Sequence, residues 1–210
     1  MTTPWPRLKR DLVAILRGLK PDEAKAVGRA VFEAGIEAIE VPLNSPEPFR
    51  SIAAIAVDLP AGALVGAGTV LEPDQVTQLN EAGGKLLVSP NVDAAVLKRA
   101  GELQLVTMPG VFSPTEAFAA IRAGASALKF FPASVIGAKG VAAISAVLPK
   151  NTVIGVVGGV SEADFADYAK VGVRTFGLGS SLYKPGMSVA DVGQRAKAAV
   201  DAWDRVFGSK

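Results

Sequence analysis

The sequence predicts an α/β fold, a (β/α)₈ barrel of the TIM type, and three observations lead there. Short apolar runs alternate with amphipathic stretches along the whole chain, glycine turns close the amphipathic stretches, and no composition break or linker interrupts the series. With 210 residues, half of them apolar and 20% charged, the chain is long enough for one well-cored domain. The expectation is a single domain over residues 1–210, with residues 1–11 as an N-terminal extension. An open doubly wound sheet is the alternative; the lack of an obvious edge strand and the persistence of the period to the C-terminus weigh against it.

The first unit is an apolar run from Leu12 to Leu16, ended by Arg17-Gly18, followed by an amphipathic stretch opened by Pro21-Asp22-Glu23 and reaching Ala34. The strand runs Ile36 to Leu43, Leu64 to Leu71 and Lys85 to Val88 follow, with helices from about Glu47, from Pro73 to Glu81 and from Val92 to Ala100. Four more units complete the series: Leu105 to Met108 with a helix from Pro114, Ala127 to Phe131 with a helix from about Lys139, Val153 to Val157 with a helix from Glu162, and Arg174 to Leu178 with a helix from Ser188. Gly35, Gly83-Gly84, Gly101, Gly124 and Gly172 stand just before strands, where left-handed helix caps belong. Ser113-Pro114-Thr115-Glu116 combines a capping serine, proline at the first helical position and a glutamate, a well-specified helix start.

Composition removes several chemistries. Cysteine and histidine are both absent, so disulfides, thiolate catalysis, His-bound zinc, a Ser-His-Asp triad and an imidazole base are excluded. Acid and base work falls to Asp, Glu, Lys or Tyr. The formal charge of +2 is spread along the chain without a basic block, which argues against a nucleic-acid partner. Residues 1–11 carry no apolar signal-like core and no later run is long enough to span a bilayer, so a soluble cytoplasmic protein without a membrane partner is expected.

Strand alternation in Ala127-Leu128-Lys129-Phe130-Phe131-Pro132 puts Ala127, Lys129 and Phe131 on one face and Leu128 and Phe130 on the other. The lysine therefore points among apolar neighbours. Desolvation disfavours ammonium, and an amine so placed can attack a carbonyl as the free base; a lysine that snorkels to solvent is the plain alternative. Because barrel active sites are built at the C-terminal ends of the strands, Arg17, Glu40, Thr69, Asn91, Lys129, Gly158-Gly159 and Gly179-Ser180 fall together as strand-end residues. Glu40, in Ile39-Glu40-Val41-Pro42, is an acidic group inside an apolar strand, either used chemically or paired structurally with Arg17. The glycine turns Gly158-Gly159 and Gly177-Leu178-Gly179-Ser180 follow strands seven and eight, the loops in which barrels cradle phosphate. Gly66-Ala67-Gly68-Thr69 lacks the third glycine of a dinucleotide fingerprint, so no nicotinamide cofactor is expected.

These parts suit a small carbonyl substrate carrying negative charge at both ends. Lys129 would form a Schiff base with a ketone, Glu40 would move protons, and Arg17 would hold a carboxylate. Residue reading alone stops at that reaction class.

Ile15-Leu16-Arg17-Gly18, Ile39-Glu40-Val41-Pro42-Leu43-Asn44-Ser45, Gly66-Ala67-Gly68-Thr69-Val70-Leu71, Leu128-Lys129-Phe130-Phe131-Pro132 and Val157-Gly158-Gly159-Val160 resemble, in order and spacing, the 2-keto-3-deoxy-6-phosphogluconate / 6-phosphogalactonate aldolases. The resemblance spans nearly the whole chain. It implies a class I aldolase, free of metal and cofactor, usually a homotrimer, that splits a phosphorylated 2-keto-3-deoxy sugar acid into pyruvate and glyceraldehyde 3-phosphate. It makes Lys129 the Schiff-base residue and Glu40 the general acid/base, puts Arg17 and Thr69 at the carboxylate end, and matches Gly158, Gly159, Gly179 and Ser180 to the phosphate loops. Asn44-Ser45 and Val157 depart from the phosphogluconate branch, which has an arginine-containing loop and a threonine at those places, and look like the phosphogalactonate branch. Valine lacks the hydroxyl of threonine, so Val157 changes the hydrogen bonding available around C4. The same reaction on the 6-phosphogluconate epimer, a phosphate-binding isomerase or epimerase using Glu40 alone, and a non-catalytic phosphosugar-acid binding protein are the competing functions.

Overall fold

Strands that are apolar on both faces need cover on both, and this chain provides it by following each strand with a helix outside the ring. The computed structural model describes residues 3–208. It begins β1 (Leu12–Ile15), α1 (Ala24–Glu33), β2 (Ala38–Pro42), α2 (Pro48–Asp58), β3 (Leu64–Gly68), α3 (Pro73–Glu81), β4 (Leu86–Val88) and α4 (Ala94–Glu102). It continues β5 (Val106–Met108), β6 (Gly110–Val111), α5 (Pro114–Arg122), β7 (Leu128–Phe130), α6 (Ala133–Ser145), β8 (Ile154–Val157), a 3₁₀ turn (Glu162–Asp164), α7 (Phe165–Ala169), β9 (Thr175–Leu178) and α8 (Val189–Phe207).

All strand pairs are parallel, in the order β5-β4-β3-β2-β1-β9-β8-β7-β6. The two ends of that order, β5 and β6, are one barrel strand interrupted at Pro109, which has no N–H to give to a ladder. Carbonyls on both sides of the break still serve the neighbour: the N–H groups of Ala127, Lys129 and Phe131 donate to the oxygens of Thr107, Pro109 and Val111 at 3.0, 2.9 and 3.1 Å. The ring therefore closes, as the barrel reading expects and an open sheet would not.

The interior is filled by Val13, Ala38, Leu64, Leu86, Val88, Val106, Met108 and Ala127, and the outward residues of the same strands join the helices in a second, larger core. Met108 fills its share of the interior at the expense of Gly155, where an added Cβ would come within 2.1 Å of the methionine methyl. Trp5 and Leu8 pack against this interior cluster from the extension, and Arg10 anchors it through a two-pronged bond to Asp204 of α8 at 2.7 and 2.8 Å. Residues 1 and 2 of the expected extension lie outside the described residues.

Two local expectations are corrected. The sixth helix starts at Ala133 and not near Lys139, and Gly137, at φ 66°, kinks it after its first turn. Gly101 lies inside α4 instead of capping it, and Gln104 takes the left-handed conformation at φ 56°. Gly35, Gly83, Gly124 and Gly172 do have positive φ, and Ser113 and Glu116 form the expected reciprocal cap. Among the described residues no helix is long and apolar enough to cross a membrane.

Candidate active site

The C-terminal ends of the strands surround a cavity of about 510 Å³. Lys129, Glu40, Arg17, Thr69 and Val157 line it together with the two glycine turns, Gly158-Gly159 and Gly179-Ser180. Every residue assigned to the site from sequence, apart from Asn91, is thus brought to one place. Asn91 is exposed outside it, with its main-chain oxygen taken by the Ser89 hydroxyl at 2.7 Å, and Pro90 forms the wall instead.

Alternation along β7 delivers the lysine. Leu128 and Phe130 pack outward among the helices, Ala127 belongs to the barrel interior, and Lys129 shares the inward face at 7% exposure. Its Nζ lies 4.7 Å from the centroid of the Phe131 ring. Burial pulls the ammonium pKa below its ordinary value; the charge of Glu40 opposes that shift and the charge of Arg17 adds to it.

Glu40 sits in β2 opposite Ile15 of β1 and Gly66 of β3, and is 2% exposed. Among the described residues its Oε2 has no hydrogen-bond partner. Burial therefore pushes the carboxyl pKa up to about 7, against the opposing charges of Lys129 and Arg17. A carboxyl group pushed up and an amine pushed down in one cavity both shift toward their neutral forms, and the neutral amine is the nucleophilic one.

Arg17 extends at the mouth from the segment after β1. Its guanidinium donates to Asn44 Oδ1, while the neighbouring Gly18 N–H donates to Ser45 Oγ at 2.9 Å. Asn44-Ser45 thus supports the Arg17 segment from the loop after β2, and the structural pairing of Arg17 with Glu40 considered from sequence gives way to this contact. Thr69, directly after β3, holds a φ of 57°, an unusual conformation for a β-branched residue at a cavity wall.

On the other side, Gly158 and Gly159 have φ of 93° and 71°, and a side chain at Gly159 would come within 2.7 Å of Ser134 Cβ. The helix after β9 starts from its cap Ser188, as the sequence reading expected, and between the two Gly179 O accepts from the N–H groups of Leu182 and Tyr183, both at 2.9 Å, making one helical turn on its own. The loop from Gly179 to Ser188 also adds Tyr183, Lys184 and Pro185 to the cavity wall. Sequence reading missed these three, although an aromatic, a cation and a Pro-Gly turn in a long loop at the C-terminal end of a barrel strand are the available signal.

A desolvated amine beside a carboxyl group, an arginine at one rim, and two glycine turns with a lysine at the other can bind a doubly anionic carbonyl compound and act on its carbonyl carbon. Comparison with known proteins agrees with this chemistry. The family model for KDPG and KHG aldolases matches residues 7–192. A probable 2-dehydro-3-deoxy-6-phosphogalactonate aldolase of Rhizobium meliloti is 60% identical over 99% of this chain and 98% of its own, and the 2-dehydro-3-deoxy-6-phosphogalactonate aldolase of Escherichia coli K12 is 46% identical over 93% and 95%. The solved native KDPGal structure superposes with a TM-score of 0.94 at 44% identity, covering 97% of this chain and 98% of that one. A designed porous protein cage, made by fusing symmetric oligomeric domains, matches at a TM-score of 0.92 and 45% identity over 94% of this chain and 73% of its own. Through this match across the barrel and its cavity, the chain belongs to the KDPG and KHG aldolase family.

Proposed function

We propose that this class I aldolase reversibly cleaves 2-dehydro-3-deoxy-6-phosphogalactonate to pyruvate and glyceraldehyde 3-phosphate. The observation that carries the reading is the burial of Lys129 and Glu40 in one cavity, with opposite pKa shifts. Lys129 Nζ adds to the C2 ketone, and the protonated Glu40 gives its proton to the departing hydroxyl as the iminium forms. The resulting carboxylate then takes the proton of the C4 hydroxyl. The C3–C4 electrons move into the iminium, the aldehyde leaves, and the enamine regains a proton at C3 from Glu40. Hydrolysis of the iminium returns pyruvate and the free amine.

In this reading Arg17 and Thr69 hold the carboxylate end, and Gly158, Gly159, Gly179 and Ser180 receive the phosphate, with Lys184 adding charge at that rim. Val157 stands between the two ends and bears on C4. The relatives at 60% and 46% identity support the phosphogalactonate assignment. A KHG/KDPG aldolase of Escherichia coli at 33% identity supports some turnover of the 6-phosphogluconate epimer as well.

We read residues 1–210 as one barrel domain with residues 1–11 as its extension, working in the cytoplasm as a homotrimer. Val135 and Phe112, 69% and 47% exposed at the starts of α6 and α5, supply apolar surface for such an assembly.

The test is reductive trapping. Incubation with pyruvate and borohydride gives a pyruvyl adduct that peptide mapping locates on Lys129 and that Lys129→Ala does not form. Trapping in the wild type followed by failure to turn over either phosphorylated epimer would leave a binding protein; no trapping at all would remove the lysine mechanism.

A further inference from the structure

Tyr183 was absent from the sequence reading, yet it lines the cavity and is 3% exposed. Its phenol donates to Glu23 Oε1 at 2.9 Å, across 160 residues of chain. That same carboxylate oxygen accepts the N–H of Lys20 at 3.1 Å. Burial and the bond to Glu23 push the phenol further above its ordinary pKa, so it stays a donor throughout the working range.

The contacts on either side of this bond form a continuous path. At one end the backbone N–H of Tyr183 donates to Gly179 O, in the turn assigned to phosphate. At the other, Glu23 and Lys20 belong to the segment that begins with Arg17, the residue assigned to the substrate carboxylate. Gly18 gives a second point of closure: an added Cβ there would lie 2.6 Å from Pro185 Cγ, so the two loops touch without room for a side chain. Parallel pairing of β1 with β9 brings the loops side by side, but pairing ends at Ala14 and Leu178. Beyond those residues, the Tyr183–Glu23 bond and the Gly18–Pro185 contact fix their separation.

We infer that Tyr183 and Glu23 form a latch that sets the distance between the carboxylate-binding arginine and the phosphate-binding turn, and so selects substrates by the span between their two anionic ends. The inference rests on the aldolase reading above. Neither residue is asked to touch the reacting atoms; both act as positioning residues. The groups they position hold parts of the substrate that do not react, so their loss acts on binding that is shared by ground and transition states.

A double-mutant cycle tests it. Glu23→Ala removes the acceptor from outside the cavity wall, and Tyr183→Phe removes the donor while keeping the ring. Loss of a hydrogen bond to a charged group is expected to raise KM for the phosphorylated six-carbon substrate about tenfold in either variant with kcat within about twofold. Glu23→Gln, whose amide oxygen still accepts, should restore KM. The double variant should be no worse than either single one. Pyruvate needs only the lysine end, so borohydride trapping of pyruvate in Glu23→Ala should match the wild type. Additive effects in the cycle, or equal loss of trapping and cleavage, would overturn the latch while wild-type trapping left the aldolase reading intact. Absence of trapping in the wild type would overturn both.

Discussion

A Cβ placed on Gly68 would stand 2.0 Å from Oε2 of Glu40 and 2.4 Å from its carboxyl carbon. Gly68 is therefore the floor on which the Glu40 carboxyl rests, one strand over from the residue itself. Gly66 on the same strand is small for a different reason: its Cβ would meet the main-chain oxygen of Leu86 at 1.8 Å. The first restriction protects a functional group and the second protects the sheet.

Substituting these two glycines should consequently separate activity from stability. Gly68→Ala is expected to fold, because the displaced atoms are the far end of a side chain, and to lose about 100-fold in kcat as the carboxyl moves off its position. Gly66→Ala must push β3 from β4 and should lose about 3 kcal/mol of stability. Thermal melts and steady-state cleavage assays on the pair would show the contrast; a Gly68→Ala enzyme with wild-type kcat would mean that Glu40 need not sit where it does.

The raised carboxyl pKa makes a prediction about stability against pH. The folded state binds the Glu40 proton more tightly than the unfolded chain does, so this group's contribution is fully present below about 4.5 and is lost as pH rises through about 7. Lys129 is shifted downward, so its contribution runs the opposite way, improving as pH rises from its lowered value toward 10.5. Glu40→Gln removes the first effect and, by removing the charge that supports the ammonium, lowers the lysine further. Both changes have the same sign. The melting temperature of Glu40→Gln relative to wild type should rise by several degrees between pH 4.5 and pH 7. A flat difference would show that the carboxyl is not raised by burial.

Much of this was legible in the sequence because it depends on short-range pattern. The eight-fold alternation, the inward face of Lys129 and the glycines at strand ends follow from strand periodicity and turn chemistry, which act over a few residues. The break at Pro109 was not legible, because only ring closure reveals that one strand must serve two neighbours. The support of Arg17 by Asn44 and the bond from Tyr183 to Glu23 were hidden for the same reason: each joins loops far apart in sequence that the barrel brings together. Asn91 failed as a site residue because Ser89 turns the chain after β4, leaving Pro90 at the wall.

Thr69 holds strain that a glycine would release. A β-branched residue at φ 57° costs on the order of 1–3 kcal/mol, and glycine returns part of that gain through its greater freedom in the unfolded chain. Thr69→Gly should therefore be more stable than wild type by about 1 kcal/mol in urea unfolding. With the role proposed for Thr69, pyruvate binding should weaken at the same time, seen as a higher concentration for half-maximal borohydride trapping, since its hydroxyl is gone. A variant that is less stable would show that the local backbone is held by contacts the threonine itself supplies.

Val157 is the residue through which the stereochemistry at C4 is best tested. Gly155 pairs with Lys129 in the sheet, and Val157 lies two residues further along the same face of β8, toward the mouth. Val157 lines the cavity together with Lys129 and the glycine turns, so in the proposed roles of those groups it borders the stretch between C2 and the phosphate. Valine there is 5% exposed and offers only methyl groups. Val157→Thr keeps the volume and adds a hydroxyl, so it changes hydrogen bonding without changing the shape of the wall. The ratio of kcat/KM for the 6-phosphogluconate epimer over the 6-phosphogalactonate epimer should rise about tenfold, the effect of one new hydrogen bond. Val157→Ala, which removes bulk and adds no donor, should lower kcat/KM for both epimers and leave their ratio near that of the wild type. If alanine moves the ratio as far as threonine does, the wall discriminates by shape, and the hydroxyl is irrelevant to the choice of epimer.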